Sequence, residues 1–177
     1  MGNSAKVVIL CEDRHHATFA RRVLQDYGIQ PRELRVVPLP ASGGGINHVK
    51  SRYVDEVREI RSRASRMTVA LVVIIDADSD APSERHEFLS MLLKEVGEPE
   101  RSSSERIVHL IPKRHIETWV HYLLGSPVDE ELDYKEKTAA DVRNAAGKMV
   151  GFCSTGVVAH EPKSLRSACL ELQKLRP

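Results

Sequence analysis

The chain has 177 residues, 41% of them apolar and 29% charged, and its 26 Lys+Arg against 25 Asp+Glu leave a formal charge of +1. That length suits one domain with a continuous core, and the near-zero balance excludes a protein drawn to nucleic acid or an acidic surface by its whole-molecule field. Any such patch has to be local. Cys11, Cys153 and Cys169 are scattered, odd in number and without CxxC or zinc-finger spacing, which points to a reducing cytoplasm.

The opening stretch "MGNSAKVVILCEDRHH" holds an apolar run too short for a signal-peptide core or a spanning helix. Its serine lies two places too early for the Gly2 myristoylation pattern, so no membrane association is expected. "KVVIL" reads as a buried strand. "HATFARRVLQDYG" follows as a helix carrying Phe19, Val23 and Leu24, with Gly28 as its C-cap. "LRVVPLP" is a second strand, placed at an edge or a strand end by its prolines. After the loop "ASGGGIN", the segment "HVKSRYVDEVREIRSRAS" sets Val49, Tyr53, Val57 and Ile60 at helical spacing on a charged background.

"TVALVVII" is apolar on both faces, as a central strand of a parallel sheet is. "HEFLSMLLKEVG" then reads as a helix, "RIVHLIP" as the fourth strand and "HIETWVHYLLG" as the helix after it. The alternation predicts an α/β fold, a Rossmann-like parallel four-stranded sheet with helices on both faces. From about Asp129 the tail holds two further helical segments, near residues 138–150 and 163–175. The expected division is a domain over residues 1–128 with a helical extension, 129–177, packed on it.

Function enters with "VVIIDADSDAPSE", where an apolar strand runs straight into Asp76, Asp78 and Asp80. Open α/β sheets bind ligands outside the carboxyl ends of their strands; Glu12 follows the first strand while Asp76 and Asp78 follow the third. Carboxylates this close raise one another's pKa unless something positive lies among them. A hard divalent cation is the simplest such partner, since magnesium takes one or two carboxylates together with waters and phosphates. Asp13 and Asp80 are equally explained as helix N-caps. Asp76, Asp78, Asp80 and Glu87 also match the spacing of a calcium loop, but Ala81 stands where that loop needs glycine and a strand, not a helix, precedes it. Glu117, one short loop past the fourth strand, reaches the same rim, either as a further metal carboxylate or as a first-turn residue favouring the helix dipole.

Gly43, Gly44 and Gly45 offer backbone N–H groups to a phosphate at a helix N-terminus, although they match neither a P-loop nor a dinucleotide fingerprint; a plain flexible loop is the other reading. Lys113, Arg114 and His115 sit at the exit of the fourth strand, where positive charge can neutralise a scissile phosphate. The basic residues from Lys50 to Arg66 form either a phosphate-contact surface or a solvated helix face diluted by Asp55, Glu56 and Glu59. His15 and His16, beside Glu12, are second choices for a metal or a proton. Cys11, Trp119 and Tyr122 read as packing.

Glu12 after the first strand, followed by Asp76-x-Asp78 after the third, resembles the TOPRIM domain of topoisomerases, bacterial primases and overcoming-lysogenization-defect (OLD) nucleases, over roughly residues 5–125. Within that superfamily "IPKRHIETWVHYL" and the late "PKSL" look like segments of the small stand-alone OLD-like proteins. Asp13 departs from the pattern, because many TOPRIM domains place glycine there. The resemblance implies a Mg2+- or Mn2+-dependent nuclease, a hydrolase of DNA or RNA phosphodiesters. Glu12 would be general acid/base or metal ligand and Asp76 and Asp78 metal ligands. From the sequence, Asp80 and Glu117 complete the candidate metal set and Lys113 joins the catalytic one. The resemblance further implies a setting in prokaryotic phage defence beside a separately encoded partner ATPase, since this chain has no Walker A motif; a homodimer is also expected. The alternative is a catalytically silent TOPRIM-like module that binds nucleic acid or a protein. An aspartyl phosphatase is disfavoured, since those enzymes carry their Asp-x-Asp after the first strand.

Overall fold

The structure, a computed structural model, describes residues 6–176; the Gly2 reading lies outside them. Four strands, β1 (Val7–Cys11), β2 (Leu34–Val36), β3 (Ala70–Ile74) and β4 (Ile107–Leu110), form one all-parallel sheet in the order β2-β1-β3-β4. The most continuous apolar run, β3, is interior and wholly buried, and the short β2, closed off by its prolines, lies at the edge. Both placements follow from the absence of a ladder N–H in proline and from the two covered faces of a parallel sheet.

Side chains alternate across that sheet. Val7, Ile9, Cys11, Val72 and Ile74 face one core, while Val8, Leu10, Leu71 and Val73 face the other. The first core is covered by α1 (Arg14–Asp26), α4 (Ile116–Leu123), α5 (Ala139–Ala146), α6 (Met149–Ser154) and α7 (Lys163–Leu172). The second is covered by α2 (Gly45–Ala64) and α3 (Pro82–Lys94). α1 buries Phe19, Val23 and Leu24, as its spacing predicts. It stops where Gly28 takes φ +89°, a conformation that favours glycine, and donates its amide to the Gln25 carbonyl at 2.9 Å.

The tail shares this core, because Val142, Ala145, Leu165 and Leu172 pack with Trp119 and the strands. The segment expected as one helix near 138–150 is two, α5 and α6, interrupted at Gly147 and Lys148. Ser164, in the first turn of α7, ties the tail to the sheet. Its Oγ accepts from the Trp119 indole at 2.8 Å and from the Lys113 amide at 3.1 Å, and its hydroxyl donates to the Glu130 carboxylate. Cys153 and Cys169, which spacing alone left unpaired, are disulfide-bonded between α6 and α7. Their separation of 16 residues becomes a contact only once α7 folds back beside α6. Such bonds are ordinarily kept in oxidising compartments, so cysteine usage no longer argues for a reducing one. Cys11 is packing, as read, with its thiol pushed up to about 12 mainly by burial and then by Asp13. Among the described residues no helix is long and apolar enough to cross a membrane.

Candidate metal centre and cleft

Parallel neighbours β1 and β3 deliver their following loops to the same edge of the sheet, and this juxtaposes Glu12 with Asp76 and Asp78. Glu12 Oε1 accepts the Asp76 amide at 2.7 Å. Burial pushes the Glu12 carboxyl up to about 7, against the pull of His16 and the Asp76 amide, with Asp76 and Asp78 adding to the rise. The glycine loop packs on the same residue. Gly45 donates its amide to the Glu12 carbonyl at 2.9 Å, and a Cβ on Gly44 would collide with that carbonyl oxygen. Close backbone approach is therefore one reason for glycine here.

Each aspartate has one oxygen anchored and the other turned inward. Asp76 Oδ1 lies 3.0 Å from Nε2 of His16, while its Oδ2 lies 3.4 Å from Nδ1 of His115. Asp78 Oδ2 accepts from Arg85 at 3.1 Å, while its Oδ1 lies 3.5 Å from that same His115 nitrogen. Asp76, Asp78 and His115 thus bring ligand atoms within 4.8 Å of one another and can hold a metal ion. His16 is sealed from solvent. Burial opposes its charge, but the Asp76, Asp13 and Glu12 carboxylates outweigh that cost and hold the imidazole up at about 9.

The backbone around the cluster is strained. Asp78 and Arg114 both adopt left-handed φ, +54° and +64°, and face each other across an isolated antiparallel bridge in which the Asp78 amide donates to the Arg114 carbonyl at 3.0 Å. Aspartate tolerates this conformation; arginine does so at a cost that its surroundings must hold in place. The bridge fixes the β3 exit against the β4 exit, the two loops that carry the aspartates and His115.

The other expected site residues are distributed around this centre. Asp80 pairs with Arg85 at 3.3 Å and is not a helix cap, whereas Asp13 is one, accepting the His16 amide at 2.9 Å. Lys113 Nζ donates to the Asp80 carbonyl at 3.2 Å and lies 3.6 Å from Glu131. Arg114 donates through Nε and Nη2 to the Glu131 carbonyl, so its guanidinium is engaged by the tail. Glu117 lies 3.5 Å from Nδ1 of His15 and falls outside the metal-ligand cluster. Arg52, Arg58 and Arg61 of α2 are paired with Glu56, Glu98 and Glu105, on the opposite face of the sheet from α1; Glu56, expected on a solvated face, is buried.

A cleft of about 790 Å3 opens beside the cluster. It is lined by Asp76, His115, Glu117 and His15, by Leu39, Pro40, Gly43 and Gly44 of the glycine loop and its approach, and by Tyr134 and Glu136 from the tail. Arg85 and Asp133 belong to this neighbourhood but were absent from the sequence reading. Arg85 is one turn into a helix that starts at Pro82, ahead of the start at His86 that periodicity gave; proline at the first helical position was the available signal. Asp133, whose Oδ1 lies 3.5 Å from His115 Nε2, is placed by the course of the tail, and no local pattern marks it.

Comparison with protein-family models, curated proteins and solved structures finds no match.

Proposed function

We propose that this chain is a dication-dependent phosphodiester hydrolase with a TOPRIM-like sheet, acting on DNA or RNA with Mg2+ or Mn2+. The observation that carries this reading is the convergence of Glu12, Asp76 and Asp78 behind adjacent parallel strands, with an inward-facing oxygen on each aspartate and Asp76 lining the cleft. A bound dication in such a site polarises the phosphoryl oxygen and lowers the pKa of its water. Asp76 and Asp78 hold the ion. Glu12, with its carboxyl near neutrality, suits transfer of a proton from the attacking water or to the leaving oxygen. Lys113, in the loop after β4 with its ammonium on the Asp80 carbonyl, supplies positive charge toward the phosphate, and the Gly43–Gly44 wall lets the substrate backbone approach closely. A setting in phage defence, with a separately encoded ATPase and a second copy of the chain, belongs to the same proposal.

A second reading is a catalytically silent module, and one observation favours it. His16 and Arg85 already place positive charge among the carboxylates, so the rim is partly balanced by the protein itself. The two readings separate in one experiment. Purified protein is incubated with labelled single- and double-stranded DNA and RNA, with Mg2+, Mn2+ or EDTA, beside an Asp76→Ala, Asp78→Ala double variant. Cleavage that needs both metal and aspartates supports the hydrolase; stable binding with no turnover under any metal supports the module.

A further inference from the structure

We infer that the rim site is built for a divalent transition ion in preference to magnesium, with His115 as a nitrogen ligand and Asp133 as the residue that positions it. The inference rests on the reading of the rim as a metal-dependent site and specifies its metal class.

His115 Nδ1 sits between the two inward carboxylate oxygens, 3.4 Å from Asp76 and 3.5 Å from Asp78. Those spacings exceed a good N–H···O hydrogen bond, so the three groups surround a point without closing on one another. The opposite nitrogen, Nε2, lies 3.5 Å from the Asp133 carboxylate. Metal-bound histidines characteristically face a carboxylate or carbonyl with their other nitrogen, which fixes the tautomer and the ring orientation. The two aspartates show the same arrangement, one oxygen held by His16 or Arg85 and the other turned inward. The two aspartates are thus held from behind by hydrogen bonds, and the His115 ring faces a carboxylate across a longer 3.5 Å gap.

The donor set then selects the ion. Magnesium is a hard cation that takes oxygen ligands and keeps several waters, so an imidazole in its coordination sphere is a poor match. Affinity at mixed nitrogen and oxygen sites rises from manganese toward copper, and imidazole suits the later members of the series. One imidazole with two carboxylates therefore favours Mn2+, Co2+ or Zn2+ over Mg2+. Asp133 faces the ring from the tail segment that also engages Lys113 and Arg114 through Glu131, so the start of the tail positions a ligand carried by the loop after β4.

The test is calorimetric titration of the metal-stripped full chain with Mn2+, Co2+, Zn2+ and Mg2+, for the wild type, His115→Ala and Asp133→Asn. The two replaced side chains are 38% and 67% exposed, and circular dichroism checks that each variant is folded. The expected result is transition-ion binding at least about tenfold tighter than magnesium, a preference that collapses in His115→Ala, and a weakening of about tenfold in Asp133→Asn with magnesium affinity unchanged. Equal affinity for Mg2+ and the transition ions, or equal weakening of all ions by His115→Ala, overturns the nitrogen-ligand assignment, and magnesium-dependent cleavage in that case leaves the proposed hydrolase standing. An Asp133→Asn protein that binds every ion as the wild type does overturns its positioning role. Failure to bind any of the four ions overturns this inference and the metal-dependent reading together.

Discussion

The carboxyl-end rim and the β4 face that carries His109 each seal a histidine from solvent, yet the two sites hold their imidazoles in opposite charge states. His16 is ringed by Asp76, Asp13 and Glu12, and their charges hold it up at about 9 in spite of burial. His109 is pushed well below its ordinary value by burial and then by the Arg101 charge; it exchanges a hydrogen bond with the Tyr53 hydroxyl at 3.0 Å and meets His86 at 3.2 Å. Arg101 itself is neutralised by Glu171 of α7 at 2.6 Å. Burial is common to both, so the neighbours decide the charge. The rim concentrates charge and strain, as functional sites do, whereas the β4 network is a neutral, satisfied strut that locks α2, α3 and α7 to the sheet.

The largest effect that can break this comparison is His16→Ala. It removes the buried partner of Asp76 and leaves the rim carboxylates without it, and it is expected to cost about 3–5 kcal/mol in urea unfolding of the metal-free protein. His109→Leu keeps the volume but strands the Tyr53 hydroxyl; the expected loss is about 1–3 kcal/mol, with the proposed cleavage unchanged per folded molecule. Gly44→Ala drives a methyl into the Glu12 carbonyl. We expect about 1–3 kcal/mol of destabilisation from that overpacking and a fall in the proposed cleavage, because the displaced residue is Glu12. Arg58→Ala, which breaks the exposed Arg58–Glu98 pair on the scaffold side, is expected to change stability by less than about 0.5 kcal/mol.

pH sharpens the same contrast. The native pKa of His16 is raised from 6.5 to about 9, so its contribution is complete below pH 6.5 and is lost as pH rises through about 9. His109 and His86 are lowered, so their contribution is present above pH 6.5 and is lost as pH falls below it. Glu12, raised from 4.5 to about 7, favours the native state toward acid over that interval and offsets part of the second effect. Unfolding free energies of the EDTA-treated protein from pH 5 to pH 9.5 are expected to lose their alkaline decline in His16→Ala and their acid decline in His109→Leu. The reverse pairing contradicts the charge states assigned to the two histidines.

The sheet was legible because its physics is local. Four β-branched runs separated by helix-period segments leave little choice but a parallel arrangement, and the prolines after Val37 put β2 at the edge. Glu12, Asp76 and Asp78 were legible for a related reason: strand ends in a parallel sheet share one rim, so topology brings them together. The residues that complete the rim came from longer-range placement. His16 was read as secondary because its burial beneath Asp76 depends on how α1 packs, and Arg85 was not read at all because α3 begins a turn earlier than its apolar period suggested. The Asp133–His115 pairing and the Cys153–Cys169 bond depend on where the tail crosses the sheet, which no local spacing encodes.

The most direct test of the rim as a metal site is anomalous diffraction from a crystal of the full chain soaked in Mn2+. The account predicts a manganese peak within bonding distance of Asp76, Asp78 and His115. A rim without a peak at saturating Mn2+, with the side chains of Asp76, Asp78 and His115 ordered around nothing, contradicts it.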